Sequence, residues 1–315
     1  MRVLKLLVLA TEENFNAKAY LGANPDVAAS GMNPLKHFRS FGRDEGRRQI
    51  DPDSVTQLEA FRKEKFTRFS QLLDLSESPA ATTFPVHTGR HLTAADYQAE
   101  SANADFGPFV AEMSAHPDRN FLDLGCGLRQ TVYDNCLYLE IYPSLSADLV
   151  VAADGRYPIV DNAFDGIGCF AVLEHTSRPW EIVAEIRRML KPGGKVWIDW
   201  PFLQPVHGYP SHYFNATQEG LRSLFEAEGF RIENISTMPH QGPDYAVTWI
   251  LRGLFAALPK SSRSRLGQMR LDDILAHPAG DAFWREMLSG LDQQSRATYA
   301  CGNVLLATKP AASEA

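Results

Sequence analysis

The chain lacks the features that would commit it to several large classes. It has no basic excess: 31 Lys and Arg stand against 38 Asp and Glu, a formal net charge of −7. A nucleic-acid partner, which normally shows as a basic surplus, is therefore not expected. No apolar run approaches the roughly 18 residues that span a bilayer. The opening stretch Met1–Ala10 has an unbroken apolar core only from Leu6 to Ala10, and Thr11-Glu12-Glu13 follows without a small-x-small site. A secretory signal needs about 7–15 apolar residues, so a short strand or helix start is expected there instead. Cysteine is scarce and scattered, at 126, 136, 169 and 301, with no C-x-x-C. That spacing fits neither a zinc cluster nor a disulfide framework and suits reduced thiols in a cytoplasm. What remains is ordinary: 315 residues, 44% apolar and 22% charged, enough for about two domains with a sizeable core.

The chain changes texture along its length. Residues 1–50 read as a short helical module, with Phe15, Ala19 and Tyr20-Leu21 at helical spacing. Asn24-Pro25-Asp26 is a turn that opens a helix, and Leu35, Phe38 and Phe41 form another stripe. Residues 51–118 read as a helical linker and lid: Val55, Leu58, Phe61, Phe66, Phe69 and Leu72-Leu73 line a helix, and 76–90 is expected to be loop. From residue 119 to 309 strand-like and helix-like stretches alternate, the signature of βαβ units and a parallel sheet. The expected strands are Phe121–Leu124, Leu137–Ile141, Leu149–Ala153, Gly166–Val172, Lys195–Trp200, Arg231–Thr237 and Val304–Thr308. The expected helices are Trp180–Leu190 and Gln218–Glu228, with Lys191-Pro192-Gly193-Gly194 as helix stop and turn. Residues 244–296 read as a helical insertion before the last strand, and 310–315 as a tail.

The chemistry concentrates in Phe121-Leu-Asp123-Leu-Gly125-Cys126-Gly127. A short apolar strand ends in an acidic residue and two glycines, at the end of a doubly wound sheet where ligands bind. A helix can follow. Gln130 stands where a dinucleotide fingerprint wants its third Gly, and no Gly-Lys-Ser/Thr makes a phosphate loop. Glu140 ends the next strand, where an acidic side chain can accept from both hydroxyls of a ribose. Asp154-Gly155 suits an adenine edge. Phe164–His175 and Leu190–Gly194 complete the series.

In this order and spacing these five motifs resemble the class I S-adenosylmethionine-dependent methyltransferases over residues 119–309. The closest likeness is to bacterial enzymes of the glycan- and polysaccharide-associated type, with a segment like Pro201–Thr217 after the fifth strand. The resemblance implies a doubly wound, mostly parallel, seven-stranded α/β sheet with Val304–Thr308 antiparallel. It implies S-adenosylmethionine as cofactor, with Asp123, Gly125, Cys126 and Gly127 near its methionine part, Glu140 at the ribose, Asp154 and Gly155 near adenine, and Phe170 alongside. One departure stands out. Many relatives carry another Gly two positions after Gly127, where this chain has Arg129, a cation that would crowd the cofactor or meet its carboxylate.

Methyl transfer to a hydroxyl needs positioning and a base, and histidine suits that role near neutral pH. The candidates are His175, expected rather to orient its loop or cap the next helix, and, as the base or acceptor-positioning group, His207 and His212. The latter two share a loop with Tyr209 and Tyr213 near Trp200, which suits a sugar or glycan acceptor. Glu174, His175, Asp199 and His207 could in principle hold a divalent cation, but no H-x-x-x-H spacing supports one and no metal is expected. Tyr20–Arg47, with its Asn-Pro-Asp and Glu-Gly-Arg ends, resembles a short helical module found beside bacterial glycosyltransferases. The expected activity is O-methylation of a sugar or glycan-linked hydroxyl in bacterial polysaccharide biosynthesis, in the cytoplasm. The alternative is a non-catalytic scaffold that recruits glycan-assembly enzymes; a nicotinamide dehydrogenase is disfavoured by the missing third Gly. Val247, Ile250, Leu251, Leu254, Phe255 and Leu258 form one helical face, followed by Arg252, Lys260, Arg263, Arg265 and Arg270, with no acidic residue in 246–270. This stripe is expected to pack inside the protein or in a homodimer, with peripheral contact to an anionic inner-membrane surface as the second reading.

Overall fold

The N-terminal residues become structure through partners far away in the chain. The protein is described here by a computed structural model, covering residues 1–93, 105–153, 155–208 and 211–299. Val3–Lys5 (β1) and Leu7–Leu9 (β2) are strands. Three short helices follow: Ala17–Ala23 (α1), Pro25–Ser30 (α2) and Pro34–His37 (α3), the last continued by a π-helical turn. Asn16 and Asn33 cap α1 and α3 with their side chains, and Pro25 and Pro34 open their helices where a missing N–H costs nothing. Tyr20, Val27 and Phe38 close a small core with Ala10. Arg48–Ile50 (β3) then pairs antiparallel with β2.

Pro52–Phe69 (α4) is the long helix of this half, capped by Asp51. Its buried Leu58, Phe61, Phe66 and Phe69 pack on the sheet described below. Lys65 is also buried, paired with Asp148 and 4.3 Å from the Tyr138 ring centroid. The segment 76–90, expected to be loop, contains a strand, Val86–His87 (β4). Two residues are too few for a periodic signal. The strand exists because the Val86 and Thr88 amides donate to Asp148 O and Val150 O, 2.8 and 2.9 Å away.

Gly107–Ala115 (α5) leads into Phe121–Leu124 (β5), Thr131–Tyr133 (β6), Cys136–Glu140 (β7), Leu149–Val150 (β8) and Phe164–Phe170 (β9). Pro179–Met189 (α6), Leu190–Asp199 (β10) and Gln218–Ala227 (α7) follow. Six strands form one sheet in the order β10-β9-β5-β7-β8-β4, and each pairing is parallel. The architecture is α/β and Rossmann-like. Both faces are covered, which is why every residue of β5 and β7 is buried. Leu122, Leu137 and Ile167 meet Ile182, Val183 and Ile186 of α6 on one face. Phe121, Tyr138 and Phe170 meet Phe109 and Met113 of α5 and Leu58 and Phe61 of α4 on the other.

Several expectations are corrected. No helix follows Gly127. The connection 125–135 is at the short limit for a helical crossover, and it forms β6, which pairs antiparallel with β1. Leu6 and Leu7 amides also take Gln130 O. Arg231–Thr237 forms no strand: Ile232 packs on the core, but the backbone there finds no ladder partner among the described residues. The Leu149–Ala153 strand stops at Val150. Val304–Thr308, the expected antiparallel seventh strand, and Cys301 lie outside the described residues.

All of this belongs to one compact unit, residues 1–202 with 208–235; the second comprises 203–207 and the chain from 236. In the second, Pro243–Ala257 (α8), Lys260–Gln268 (α9), Leu271–Leu275 (α10), Ala282–Met287 (α11) and Gln293–Thr298 (α12) enclose their own core of Leu258, Leu266, Phe283, Met287 and Leu291. The apolar stripe Val247–Leu258 runs along α8, with Leu258 as its C-cap, and the basic residues from Lys260 onward belong to the next helix. Its distal residues Leu254, Phe255 and Leu258 pack in this core, while Val247, Ile250 and Leu251 are exposed. Among the described residues, no helix is long and apolar enough to cross a membrane.

Candidate functional site

Parallel pairing aligns the ends of the strands. Leu124 of β5 is level with Leu139 of β7 and Cys169 of β9, Phe170 is level with Asp199, and Glu140 is level with Val150. Gly125, Gly127, Glu140, Phe170 and Asp199 therefore share the carboxyl edge of the sheet, the edge at which open α/β sheets bind ligands.

Gly125 turns the chain at φ +73°, and its N–H and that of Cys126 both donate to Leu139 O, at 2.9 and 3.0 Å. A Cβ at Gly125 would stand 2.3 Å from a Val172 methyl, so only glycine fits. Gly127, at φ +56°, donates its N–H to Glu140 Oε1 at 3.1 Å, and the Ile141 N–H donates to Glu140 Oε2. The loop is thus fastened to the tip of β7 through this carboxylate. Burial drives the Glu140 carboxyl up to about 7, against the two backbone donors and the nearby Arg129 charge, which favour ionisation. Each oxygen takes one backbone donor, whereas a carboxylate accepts about four. The group therefore fits a ligand that brings paired hydroxyls.

Asp123 is held in a buried ion pair. Arg129 reaches back from the loop and donates Nε to Asp123 Oδ2 and Nη2 to Oδ1, at 2.7 and 2.9 Å, with both side chains buried. Its guanidinium carbon lies 5.7 Å from the Phe170 ring centroid. Phe170 stacks on Phe106, centroids 4.7 Å apart, and meets Phe109 edge-on. Cys126 is fully buried within the apolar core, where its thiol is pushed up by burial; its backbone, not its sulfur, belongs to the turn. Gly155 sits exposed at φ +124°. Asp154 lies outside the described residues. Asp105 was missed by the sequence reading. Burial raises its carboxyl, with the Asp123 charge adding and Arg129 and Thr131 opposing. No motif marks it, since it lies well before the glycine loop.

The three histidines have different local partners. His175 closes a short 3-10 turn after β9 and donates Nδ1–H to Ser211 O at 2.8 Å, which leaves Nε2 as the basic nitrogen of the neutral ring. The carboxylate of the fully buried Glu174 lies 3.8 Å from that Nε2. The Tyr213 N–H donates to Glu174 O at 2.7 Å and ties the segment after Ser211 to this turn. His212 comes within 5.7 Å of His175 between rings, and its Nε2 donates to Asn215 Oδ1 at 2.7 Å. His207 is a different case. It belongs to the second unit, donating Nδ1 to Pro205 O at 2.8 Å with its ring 4.9 Å from that of Trp249. The expected single loop of His207 and His212 is thus divided between the two units. Tyr209 lies outside the described residues.

Residues 122–198 match the family model described as "Methyltransferase domain". No curated protein matches the chain. Among solved structures, the chain is similar to the YcgJ protein of Bacillus subtilis at 16% identity, covering 50% of this chain and 86% of that one, with a TM-score of 0.34. An S-adenosylmethionine-dependent methyltransferase from Mesorhizobium loti is 13% identical over 41% of this chain and 82% of its own, with a TM-score of 0.29. The phosphoethanolamine N-methyltransferase 2 of Haemonchus contortus, in complex with S-adenosyl-L-methionine, is 18% identical over 58% and 46%, with a TM-score of 0.31.

Proposed function

We propose that the methyltransferase domain of residues 122–198, whose cofactor is S-adenosylmethionine, methylates a hydroxyl of a sugar or glycan intermediate in the cytoplasm. The observation that carries the cofactor site is the Glu140 clamp: a buried carboxylate, held by the Gly127 and Ile141 amides, at the end of β7. In this reading Glu140 accepts from the ribose hydroxyls, Gly125 and Gly127 let the backbone approach the methionine part, and the Phe170 ring lies alongside. Asp154 and Gly155 take the adenine end. When bound, the cofactor supplies a methyl group on a sulfonium, and the protein has only to place an oxygen in line and take its proton.

His175 is the base that the local geometry favours. Its Nδ1–H is committed to Ser211 O, so Nε2 is the atom that takes the hydroxyl proton as the oxygen attacks. The Glu174 carboxylate, 3.8 Å away, then stabilises the imidazolium. His212 positions the acceptor. The glycan assignment is supported by the polar aromatic character of the segment around Tyr213 and by the resemblance of residues 20–47 to a module that accompanies glycosyltransferases. The test is incubation with labelled S-adenosylmethionine and nucleotide-sugar or glycan fractions, followed by mass spectrometry. A methylated hydroxyl supports the reading. Tight cofactor binding with a methyl on nitrogen or carbon would overturn the acceptor class, and absence of cofactor binding in a calorimeter would favour the scaffold alternative.

A further inference from the structure

Three aromatic side chains stand in water beside the turn that carries His175. Trp180 of α6 is 48% exposed, Tyr213 49% and Phe214 40%. Tryptophan is ordinarily among the more buried residues, and a clustered apolar patch on a surface marks a place that binds something. The rest of α6 turns Ile182, Val183, Ile186 and Met189 into the core, so Trp180 is left out of it by its place on the helix. Its ring meets that of Phe214 edge-on, centroids 6.2 Å apart, and the Phe214 ring lies 6.4 Å from that of Tyr213. The group is fastened through the backbone. The Tyr213 and Phe214 N–H groups both donate to Glu174 O, at 2.7 and 3.4 Å, and Trp200 donates Nε1–H to Phe214 O at 3.1 Å. Glu174 is the residue next to His175, so the rings are tied to the element that carries the imidazole. They also lie away from the Glu140 clamp. In the sheet order β10-β9-β5-β7-β8-β4, Glu140 ends β7, whereas His175 and Trp180 follow β9 and Trp200 follows β10.

We propose that Trp180, Tyr213 and Phe214 form the platform on which a pyranose ring of the acceptor stacks, and that they set which saccharide is accepted. The proposal rests on the reading that the chain methylates a sugar hydroxyl. A pyranose is amphipathic: its axial C–H bonds make an apolar face, and its hydroxyls ring the edge. Aromatic rings suit the face, because their negative π-surface attracts the weakly positive C–H hydrogens. Polar groups at the rim suit the hydroxyls. Arg178 and Glu181, an exposed pair joined at 2.9 Å, flank Trp180 in the chain and bring a donor and an acceptor to that rim. A lipid surface would call for a basic rim, and this one carries both signs.

The test is saturation-transfer NMR on the full chain with S-adenosylhomocysteine present. The probes are methyl β-D-glucopyranoside, methyl β-D-galactopyranoside and methyl α-D-mannopyranoside. At least one is expected to receive saturation, strongest at the C–H hydrogens of one face. The affinity of that probe should fall by about fivefold or more in Trp180→Ala, and stay within about twofold of wild type in Trp180→Phe, which keeps an aromatic face. Circular dichroism and calorimetric affinity for S-adenosylhomocysteine should match wild type in both variants, which separates lost stacking from lost structure. No transfer to any probe overturns the proposal, as does transfer that Trp180→Ala leaves unchanged. Self-association of the wild-type chain that Trp180→Ala abolishes would give the face to a second copy, and overturns it as well. Glycoside binding through Trp180 with no methylated hydroxyl in the labelled incubation keeps the platform and removes only the reading it rests on. A methylated hydroxyl formed at the wild-type rate by Trp180→Ala removes the platform alone.

Discussion

Glu140 makes cofactor affinity a function of pH, and the size of the effect follows from its surroundings. The carboxyl titrates at about 7 in the folded chain against 4.5 for an ordinary glutamate, chiefly because it is buried. The rise corresponds to about 3 kcal/mol between protonation states. For an acid raised in this way, the contribution to stability is fully present below about 4.5 and is lost as pH rises through about 7. Ligand binding runs the other way. Ribose hydroxyls donate, so they need the carboxylate; the protonated acid offers a donor to a donor. The apparent affinity for S-adenosylhomocysteine should therefore be about tenfold weaker at pH 6 than at pH 8, since at pH 6 about nine chains in ten hold a protonated Glu140. Calorimetric titration at the two values checks this. The control is Glu140→Gln, which should bind weakly at both, because its amide cannot satisfy the Gly127 and Ile141 donors and two hydroxyls together. Equal wild-type affinity at pH 6 and 8 would refute the ribose assignment. A slope that persists in Glu140→Gln would move the titration to another group.

Three further outcomes follow. Lys65→Met strands Asp148, which also accepts from the Tyr138 N–H at 2.9 Å; urea unfolding should show a loss of about 3–5 kcal/mol, whereas replacing Lys65 and Asp148 together by Met and Asn should recover most of it. His175→Ala should lower turnover by roughly a hundredfold on the true acceptor while leaving calorimetric cofactor affinity within about twofold, and turnover near wild type would remove it as the base. In the helical unit, Leu258→Glu places a charge in the core and should cost about 3 kcal/mol or more, whereas Leu251→Glu on the exposed face should stay within about 0.5 kcal/mol. Flotation with anionic vesicles at low and high salt completes that comparison: salt-sensitive binding abolished by Leu251→Glu would assign the exposed half of α8 to a membrane surface.

The sequence by itself determined what local repetition can encode. The wholly buried run Phe121–Leu124 reads as a central parallel strand because both its faces are covered, and it is one. Gly125 announces a turn that no side chain could make, and Val172 is the atom-level reason. Pro179 and the Ile182–Val183–Ile186 stripe place α6 to within a residue or two. Tertiary structure decided everything that depends on a partner distant in the chain. β4 is two residues long and exists because β8 offers it an edge. Arg231–Thr237 forms no strand, and its backbone finds no ladder partner among the described residues. The glycine loop is followed by β6 instead of a helix, because β1, over a hundred residues earlier, pairs with it. The same holds at the site. Arg129 was visible as a departure, but its grip on Asp123 was not, and His207 and His212 are five residues apart in sequence yet belong to separate units. Periodicity and turn chemistry are carried by neighbours within a few residues; ladders, ion pairs and the company a side chain keeps are set by which surfaces meet, and single-chain spacing does not record that.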